Sequence, residues 1–180
     1  MAYTISDVPL IPQSKNMACW YASAQMLIQW RRSRTRMCET AHPDPSEVPA
    51  LQAAYIANNG LPFSRTIELA KDLGLRPVPP MTPTPAAIEG WLRQHGPLWF
   101  AGLFPSGHAV VITGITAKEI LINDPWPPAP DTGRRRSLSY VGFGQTMQPL
   151  PAGPDSVWQA ILQLLGQRQA PLTPNLLYFQ

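Results

Sequence analysis

The stretch VPLIPQSKNMACWYA, residues 8–22, joins a segment that cannot be helical to one that can. Its two prolines fix their own φ and disfavour the helical conformation in the residues before them, so residues 8–13 are predicted to be extended. Beyond them, apolar residues recur at helical spacing and arginines follow. This pattern predicts a helix from Asn16, as its N-cap, through about Arg32. Cys19 therefore lies near the start of a helix that follows a stiff segment.

Start and stop signals predict three more helices in the first half of the chain. They run from after Ser46 to Asn59-Gly60, from about Ser64 to Leu73, and from Thr84-Pro85 to Gly96-Pro97. In the second half, apolar runs rich in β-formers predict strands at Leu98–Leu103, Ala109–Ile115, Glu119–Asn123 and Leu138–Phe143. Residues 155–165 are predicted to form a late helix. Leu176–Phe179 is interpreted as a last strand rather than the remnant of an expression tag.

Helices followed by antiparallel strands are typical of the α+β class. With 180 residues, the chain suits one domain, residues 1–180. We expect this domain to divide into a helical lobe, residues 1–96, and a β lobe, residues 97–180, that includes the late helix. The seam between two such lobes is where a cleft would form.

Charge and cysteine content argue against several functional classes. The net charge of +3 is mild, and the arginine runs at 31–36 and 134–136 contain no aromatic residues. We therefore expect solvated arginines and no nucleic-acid partner. The two cysteines, Cys19 and Cys38, cannot make a disulfide framework or a four-cysteine zinc site. Since the three histidines also lack ligand spacing, we expect no metal and no other cofactor.

Two further patterns concern membranes and export. No apolar run approaches the roughly 20 residues that a membrane span needs, so no span is expected. No basic segment followed by an apolar run opens the chain, so a classical signal peptide is not expected either. The protein would thus be cytosolic, or exported by another route.

Cys19 is the candidate nucleophile. A thiol at a helix N-terminus lies at the positive end of the peptide dipoles, which favours the reactive thiolate, although a buried structural cysteine would fit the position as well. Gln13 adds a second signal, because its amide, six residues upstream on the stiff segment, can donate a hydrogen bond beside the thiol. Together with the N–H of Cys19 it would form a two-donor oxyanion hole.

A thiolate nucleophile needs a base, and the chain has three histidines. His42 lies in a proline-rich loop and is interpreted as a surface residue. His95 lies in the last turn of a predicted helix, where an imidazolium would complement the helix dipole. His108 follows Gly107, which leaves room beside it, and leads directly into a core strand that can position a catalytic ring. His108 is therefore the candidate base, although a structural histidine at a strand end would look the same.

Asn123 and Asp124 are the candidates for the residue that orients the base, unless they simply open a turn. They end the strand that pairs with the His108 strand, and the length of the loop decides which of them shares the face of His108. A three-residue loop, residues 116–118, selects Asp124, whereas a two-residue loop selects Asn123. Because two-residue loops favour glycine or asparagine, which are absent there, Asp124 is preferred and Asn123 is the second choice.

Three segments together resemble the papain-like cysteine peptidases. The likeness is to the bacterial branch that includes bacteriocin-processing peptidase domains and papain-like effector proteases. Residues 8–20 resemble the nucleophile segment of that branch, residues 107–111 its histidine strand, and residues 122–126 its Asp-Pro segment. The likeness extends from about residue 8 to about residue 144. The Cys-Gly-Ser-Cys-Trp run of papain itself is absent.

The resemblance implies a two-lobe papain-like α+β fold and acyl transfer from a polypeptide substrate. Cys19 would be the nucleophile, His108 the base, Asp124 the third member of a triad and Gln13 the oxyanion donor. Trp20 and Trp126, which follow the nucleophile and the third member, are candidate substrate-binding residues, although core packing would explain either tryptophan as well.

By the same analogy, the chain would be a bacterial effector or toxin. It would stay in the bacterial cytoplasm until a specialised secretion system exports it, and a cognate immunity or inhibitor protein is a candidate partner. Two alternatives stay open: an amidase or acyltransferase that uses the same site, and a non-enzymatic binding module with a papain-like shell.

Overall fold

A computed structural model describes residues 2–34, 42–78, 81, 83–104, 106–128, 132–147 and 176–179. In these residues, five α-helices accompany a sheet in which all strand pairs are antiparallel, which confirms the α+β class. The helices are α1 (Cys19–Arg34), α2 (Pro49–Ile56), α3 (Thr66–Asp72), α4 (Pro85–His95) and α5 (Tyr140–Thr146). The strands are β1 (Tyr3–Thr4), β2 (Leu75–Pro77), β3 (Leu98–Phe104), β4 (Ser106–Ile115), β5 (Glu119–Asp124), β6 (Arg134–Ser139) and β7 (Leu176–Phe179).

The sheet has the strand order β2-β7-β3-β4-β5-β6, and β1 pairs with β4. The strand predicted at Leu176–Phe179 is confirmed, and it lies inside the sheet, where Phe179 pairs with Leu75 and Leu177 with Trp99. The predicted late helix at 155–165 and Cys38 lie outside the described residues. No helix in the described part of the chain is long and apolar enough to cross a membrane.

Helix α1 packs against the middle of the sheet through buried side chains on most of its length. It begins at Cys19, later than the predicted N-cap at Asn16. The reason is local: the side-chain amide of Gln13 donates hydrogen bonds to the carbonyl oxygens of Lys15 and Asn16, at 2.8 and 2.9 Å. These bonds hold a non-helical turn directly before the helix, so the thiol lies on its first residue.

The strand predicted at Leu138–Phe143 is wrong. Ser139 is the N-cap of α5, because its side-chain hydroxyl accepts a hydrogen bond from the N–H of Gly142 at 3.1 Å. The apolar residues that follow are therefore helical, and Phe143 is buried against Phe100. A short apolar run does not distinguish a strand from a helix by its periodicity. The strand that pairs with β5 is instead the arginine-rich β6.

A β-bulge in β4 sets the register at the end of β5. Near the loop, Ile115 pairs with Ile120, one position beyond the predicted partner. The register then shifts by one residue at Thr113, so that Val111 pairs with Asn123. Beyond the bulge, even-numbered positions therefore pair with even-numbered positions, as predicted. The strands flank the predicted three-residue loop, residues 116–118, and the difference lies in the register next to it. If that register continued without a bulge, the opposite set of β5 side chains would share the face of His108.

Candidate active site

Three side chains from three elements meet in one cavity. Cys19 is the first residue of α1, His108 lies near the start of β4, and Asp124 ends β5. All three line a cavity of about 760 Å³. The Nε2 atom of His108 lies 2.7 Å from Oδ1 of Asp124, and the Cys19 thiol lies close enough to the imidazole to raise the pKa of His108. A thiol, an imidazole and a carboxylate thus lie close together.

The Asp124 carboxylate is almost fully buried and has three partners. Besides His108, its Oδ1 atom accepts a hydrogen bond from the backbone N–H of Trp126 at 2.9 Å, and its Oδ2 atom lies 3.3 Å from Nε of Arg136. Burial raises the pKa of this carboxyl group, but the hydrogen bonds from His108 and Trp126 and the charges of His108 and Arg136 outweigh burial and lower it. Asp124 is therefore ionised at neutral pH.

A sequence profile for the family described as papain-like cysteine protease AvrRpt2 (Peptidase_C70) matches residues 3–146. The chain belongs to this family. The match covers most of the chain and confirms the resemblance to papain-like peptidases of the bacterial effector type. No curated protein matches the chain. The protein is therefore a member of a cysteine protease family.

The imidazole of the protease is held in its protonated form. Burial lowers the pKa of His108, but hydrogen bonds and charges from Asp124 and Cys19 outweigh burial and raise that pKa from 6.5 to about 9. At neutral pH the ring is therefore an imidazolium.

Two buried hydrogen bonds fix α1 against the sheet near the thiol. The Ser23 hydroxyl donates to the carbonyl oxygen of Ala109 at 3.0 Å, and the Trp99 indole N–H donates to the carbonyl oxygen of Trp20 at 3.2 Å. The backbone of the nucleophile helix is thus bonded to the strand that carries the imidazole and to its neighbour.

Gly107, as predicted, leaves room beside His108. A Cβ atom at this position would lie 3.0 Å from Cε2 of Phe63, which is closer than ordinary van der Waals contact. Phe63 precedes α3, and both residues line the cavity. The helical side and the sheet side of the cavity therefore approach each other here.

Gln13 lies directly before the nucleophile helix and is buried. Its backbone N–H donates to the carbonyl oxygen of Pro125 at 3.0 Å, and its side-chain N–H groups donate to Lys15 and Asn16, as described above. Its Oε1 atom is buried and makes no hydrogen bond within the described residues. The amide is thus near the thiol but is engaged by backbone carbonyl groups, and its role as oxyanion donor stays a prediction.

Asn123 points away from His108, as the register requires. Its side-chain amide donates to the carbonyl oxygens of Val8 and Pro9, at 3.3 and 3.1 Å. It therefore anchors the extended segment that leads to Gln13. The adjacent residues Asn123 and Asp124 serve two different parts of the site because they project from opposite faces of β5.

Both predicted substrate-binding tryptophans line the cavity. Trp20 is buried, and its indole N–H donates to the carbonyl oxygen of Asn59 at 3.1 Å, which gives it a clear packing role. Trp126 is 48% exposed and is free to contact a ligand at the rim. Contact of either ring with substrate stays a prediction.

The other two histidines are structural. His42 was predicted to lie on the surface, which is wrong: it is buried, with Nδ1 3.2 Å from the carbonyl oxygen of Leu73 and its ring edge-on to Phe179. His95 ends α4 as predicted and packs against Tyr178. Burial lowers the pKa of His95, so its ring is neutral at pH 7 and not the predicted imidazolium. Across the described residues, no group of three or more histidine, cysteine or acidic side chains could hold a metal ion.

Sequence reasoning favoured solvation for the arginines at 134–136 and assigned no role to Thr66. Arg136 reaches Asp124 and lines the cavity. Thr66, the first residue of α3, is 1% exposed, lines the cavity, and has a hydroxyl group without a hydrogen-bond partner in the described residues. The one available signal for Arg136 was its position two residues after another arginine, which places both on one face of a strand.

Proposed function

We propose that this protease cleaves peptide amide bonds by acyl transfer to Cys19. The observation that carries the proposal is that thiol, imidazole and carboxylate line one cavity, which is large enough for substrate side chains, and that the imidazole is hydrogen-bonded to the carboxylate. Nucleophile, base and orienting group within reach of one another are the geometric signature of covalent catalysis.

The imidazolium of His108 stabilises a thiolate on Cys19, and this sulfur attacks the substrate carbonyl carbon to form a C–S bond and an oxyanion. Collapse of the oxyanion breaks the C–N bond, and His108 gives its proton to the departing amine. Water then attacks the thioester while His108 takes a proton from it. The C–S bond breaks, the acid leaves, and the thiolate–imidazolium pair is restored. Asp124 keeps the ring oriented throughout.

The oxyanion would be stabilised by two donors. The backbone N–H of Cys19 is the first of α1, and the first N–H groups of a helix have no intrahelical acceptor. Gln13 would supply the second donor after its amide turns from the carbonyl groups of Lys15 and Asn16. Its unpartnered Oε1 atom supports this step, since the present orientation leaves a buried polar atom unsatisfied.

A variant separates this role from a structural one. Removal of one oxyanion donor costs about 10²- to 10³-fold in kcat, so Gln13→Ala should lower kcat by that factor while KM changes little. The rate of alkylation of Cys19 by iodoacetamide, which forms no oxyanion, should stay near the wild-type value. An equal fall in both rates would assign Gln13 to the architecture of the helix start alone.

The cleft itself supports a two-lobe organisation of a single domain, residues 1–180, with lobes at 1–96 and 97–180. One wall of the cavity comes from the segment around α3 and the other from β3, β4 and β6. A polypeptide substrate would lie between them, with Trp126 at the rim and Trp20 at the base of the nucleophile helix.

The decisive experiment uses both cysteines. Wild type, Cys19→Ala and the matched control Cys38→Ala are incubated with a peptide library, and products are identified by mass spectrometry with and without an added amine acceptor. Cleavage by wild type and Cys38→Ala but not by Cys19→Ala is expected. Products formed only with the amine would reassign the site to an acyltransferase, and release of ammonia alone would indicate an amidase. A separate labelling assay tests the third alternative: equally slow reaction of both thiols with iodoacetamide near pH 6 would indicate a non-enzymatic binding module.

We further infer from the family that the protease is an effector or toxin that bacteria export through a specialised secretion system. A reporter fusion that reaches target cells only when that system is intact would support export. Toxicity of wild type but not of Cys19→Ala on expression, relieved by a co-expressed immunity protein, would support the toxin role; equal toxicity of both forms would count against it.

A further inference from the structure

We propose that Arg136 forms an anion-binding subsite on the sheet wall of the cleft, so that the protease prefers an acidic residue close to the scissile bond of its substrate. The inference rests on the proposed function and specifies its substrate class. Three observations support it: the position of Arg136 in the β5–β6 pairing, the contacts of its guanidinium, and the charges around the cavity.

The register of β6 puts this arginine on the catalytic face of the sheet. Asp124 pairs with Arg134, and Ile122 pairs with Arg136. Paired residues and residues two positions apart share a face, so both arginines project on the side that carries His108 and Asp124. Arg135, between them, projects on the opposite side. Of the three, Arg136 lines the cavity.

The protein contacts of Arg136 position its guanidinium but leave part of its hydrogen-bonding capacity available. Its Nε atom lies 3.3 Å from Oδ2 of Asp124, whereas charge-assisted hydrogen bonds are usually about 2.7–2.9 Å long. The group also lies over the Phe104 ring, with 5.8 Å from Cζ to the ring centroid. The side chain remains 43% exposed. Because Arg136 lines the cavity and Asp124 is paired with its Nε atom, the remaining N–H donors of the guanidinium are available to a carboxylate of the substrate.

Among the described residues that line the cavity, no carboxylate other than Asp124 competes for this charge. Asp124 already accepts hydrogen bonds from His108 and Trp126 and forms its long ion pair with Nε of Arg136. Protonated His108 adds a second positive charge, and most of the remaining wall is apolar. An acidic side chain of the substrate would thus meet a cation in a partly dehydrated cleft, where an ion pair is stronger than in bulk water.

The test compares peptides that differ only by aspartate against asparagine, with the change moved through each position on both sides of the scissile bond. We expect the ratio of kcat/KM for the two peptides to be about five at one position for wild type, which corresponds to a half-exposed ion pair. The ratio should fall to about one in Arg136→Gln and stay at the wild-type value in Arg135→Gln, which loses the same charge from the opposite face. Arg136→Glu should instead favour a lysine peptide at that position.

A wild-type ratio near one at every position would overturn the inference, and so would an equal loss of selectivity in Arg135→Gln, which would indicate a long-range field. The same peptides carrying an acyloxymethyl ketone alkylate a thiolate without amide cleavage. If charge-selective labelling persists while no peptide is cleaved, the proposed proteolysis fails and the subsite stands. If cleavage proceeds without charge selectivity, the subsite fails and the proteolysis stands.

Discussion

Asp124→Asn preserves the shape of the side chain that orients His108 but removes its charge. In the wild type, burial lowers the pKa of His108, and the carboxylate together with Cys19 raises it from 6.5 to about 9. At about 1.36 kcal/mol per pH unit, that displacement favours the protonated ring by about 3 kcal/mol. A carboxylate within hydrogen-bond distance typically accounts for about 1 to 3 pH units of such a shift. We therefore expect the amide to lower the pKa of His108 by that amount.

The pH profile of kcat/KM measures this change. The active form needs protonated His108, so the alkaline limb of the wild-type profile should lie at about pH 9. In Asp124→Asn it should move down by about 1 to 3 pH units. Because the amide can still accept a hydrogen bond from the ring, activity at the optimum should fall less than in Asp124→Ala. Titration of the His108 ring by NMR gives the same quantity directly.

The stability of the fold should follow the same titration. Since the folded-state pKa of His108 lies above the value of 6.5, its protonation stabilises the fold fully below pH 6.5, and this contribution is lost as the pH rises through about 9. The free energy of unfolding of the wild type should fall across this window by up to about 3 kcal/mol, and that of Asp124→Asn by less. An alkaline limb at the same pH in both proteins would refute the assignment of Asp124 as the group that holds the imidazolium.

Three other changes test the architecture of the site. Exchanging the two residues (Asn123→Asp with Asp124→Asn) should lower kcat/KM by roughly 100-fold, because the register places residue 123 on the face opposite His108; retained activity in a folded protein would refute the register argument. Thr66→Val should raise the free energy of unfolding by about 1 kcal/mol in denaturant titrations because the hydroxyl is buried without a partner, and a comparable loss of stability would show that the hydroxyl is satisfied. Ser23→Ala should lower the same quantity by about 1 kcal/mol because the Ala109 carbonyl oxygen loses a buried donor; an unchanged midpoint would mean that the bond contributes nothing.

Features that depend on neighbouring residues were predicted well from the sequence. The bounds of α4 are an example: Thr84 accepts a hydrogen bond from the N–H of Ala87 at 3.2 Å, and Gly96 takes a φ of 87°. A cap and a stop of this kind act within one helical turn, so the residues that cause them are adjacent in the sequence. The extended segment before Cys19 was predicted for the same reason.

The face of β5 that carries Asp124 was predicted correctly on an incomplete argument. The register next to the loop differs by one position from the predicted register, and the bulge at Thr113 compensates for this difference. The bulge is bonded to a residue far away in the sequence: the N–H of Ile5, which follows β1, donates to the carbonyl oxygen of Thr113 at 2.8 Å. At the next position, a Cβ atom on Gly114 would lie 2.8 Å from the carbonyl oxygen of Tyr3. Neither contact can be inferred from the residues around the loop alone.

Most of the misses depend on packing between residues far apart in the sequence. Residues 140–146 are helical for two reasons: Ser139 caps them, a local signal that was overlooked, and Phe143 is buried beside Phe100. His42 is buried because the loop that carries it packs under Phe179. Arg136 reaches Asp124 because β6 pairs with β5 in one particular register. The sequence suggested solvent exposure at His42 and Arg136, and tertiary contacts overrode that tendency.

The position of β7 has a consequence for how the protein is synthesised. Residues 176–179 fill the gap between β2 and β3, and among the described strands β2 pairs with no other. A ribosome must therefore translate past residue 179 before the edge of the sheet next to α3 can close. Since α3 contributes Thr66 to the cavity, we expect the nascent polypeptide to lack this wall of the cleft until residues 176–179 have emerged.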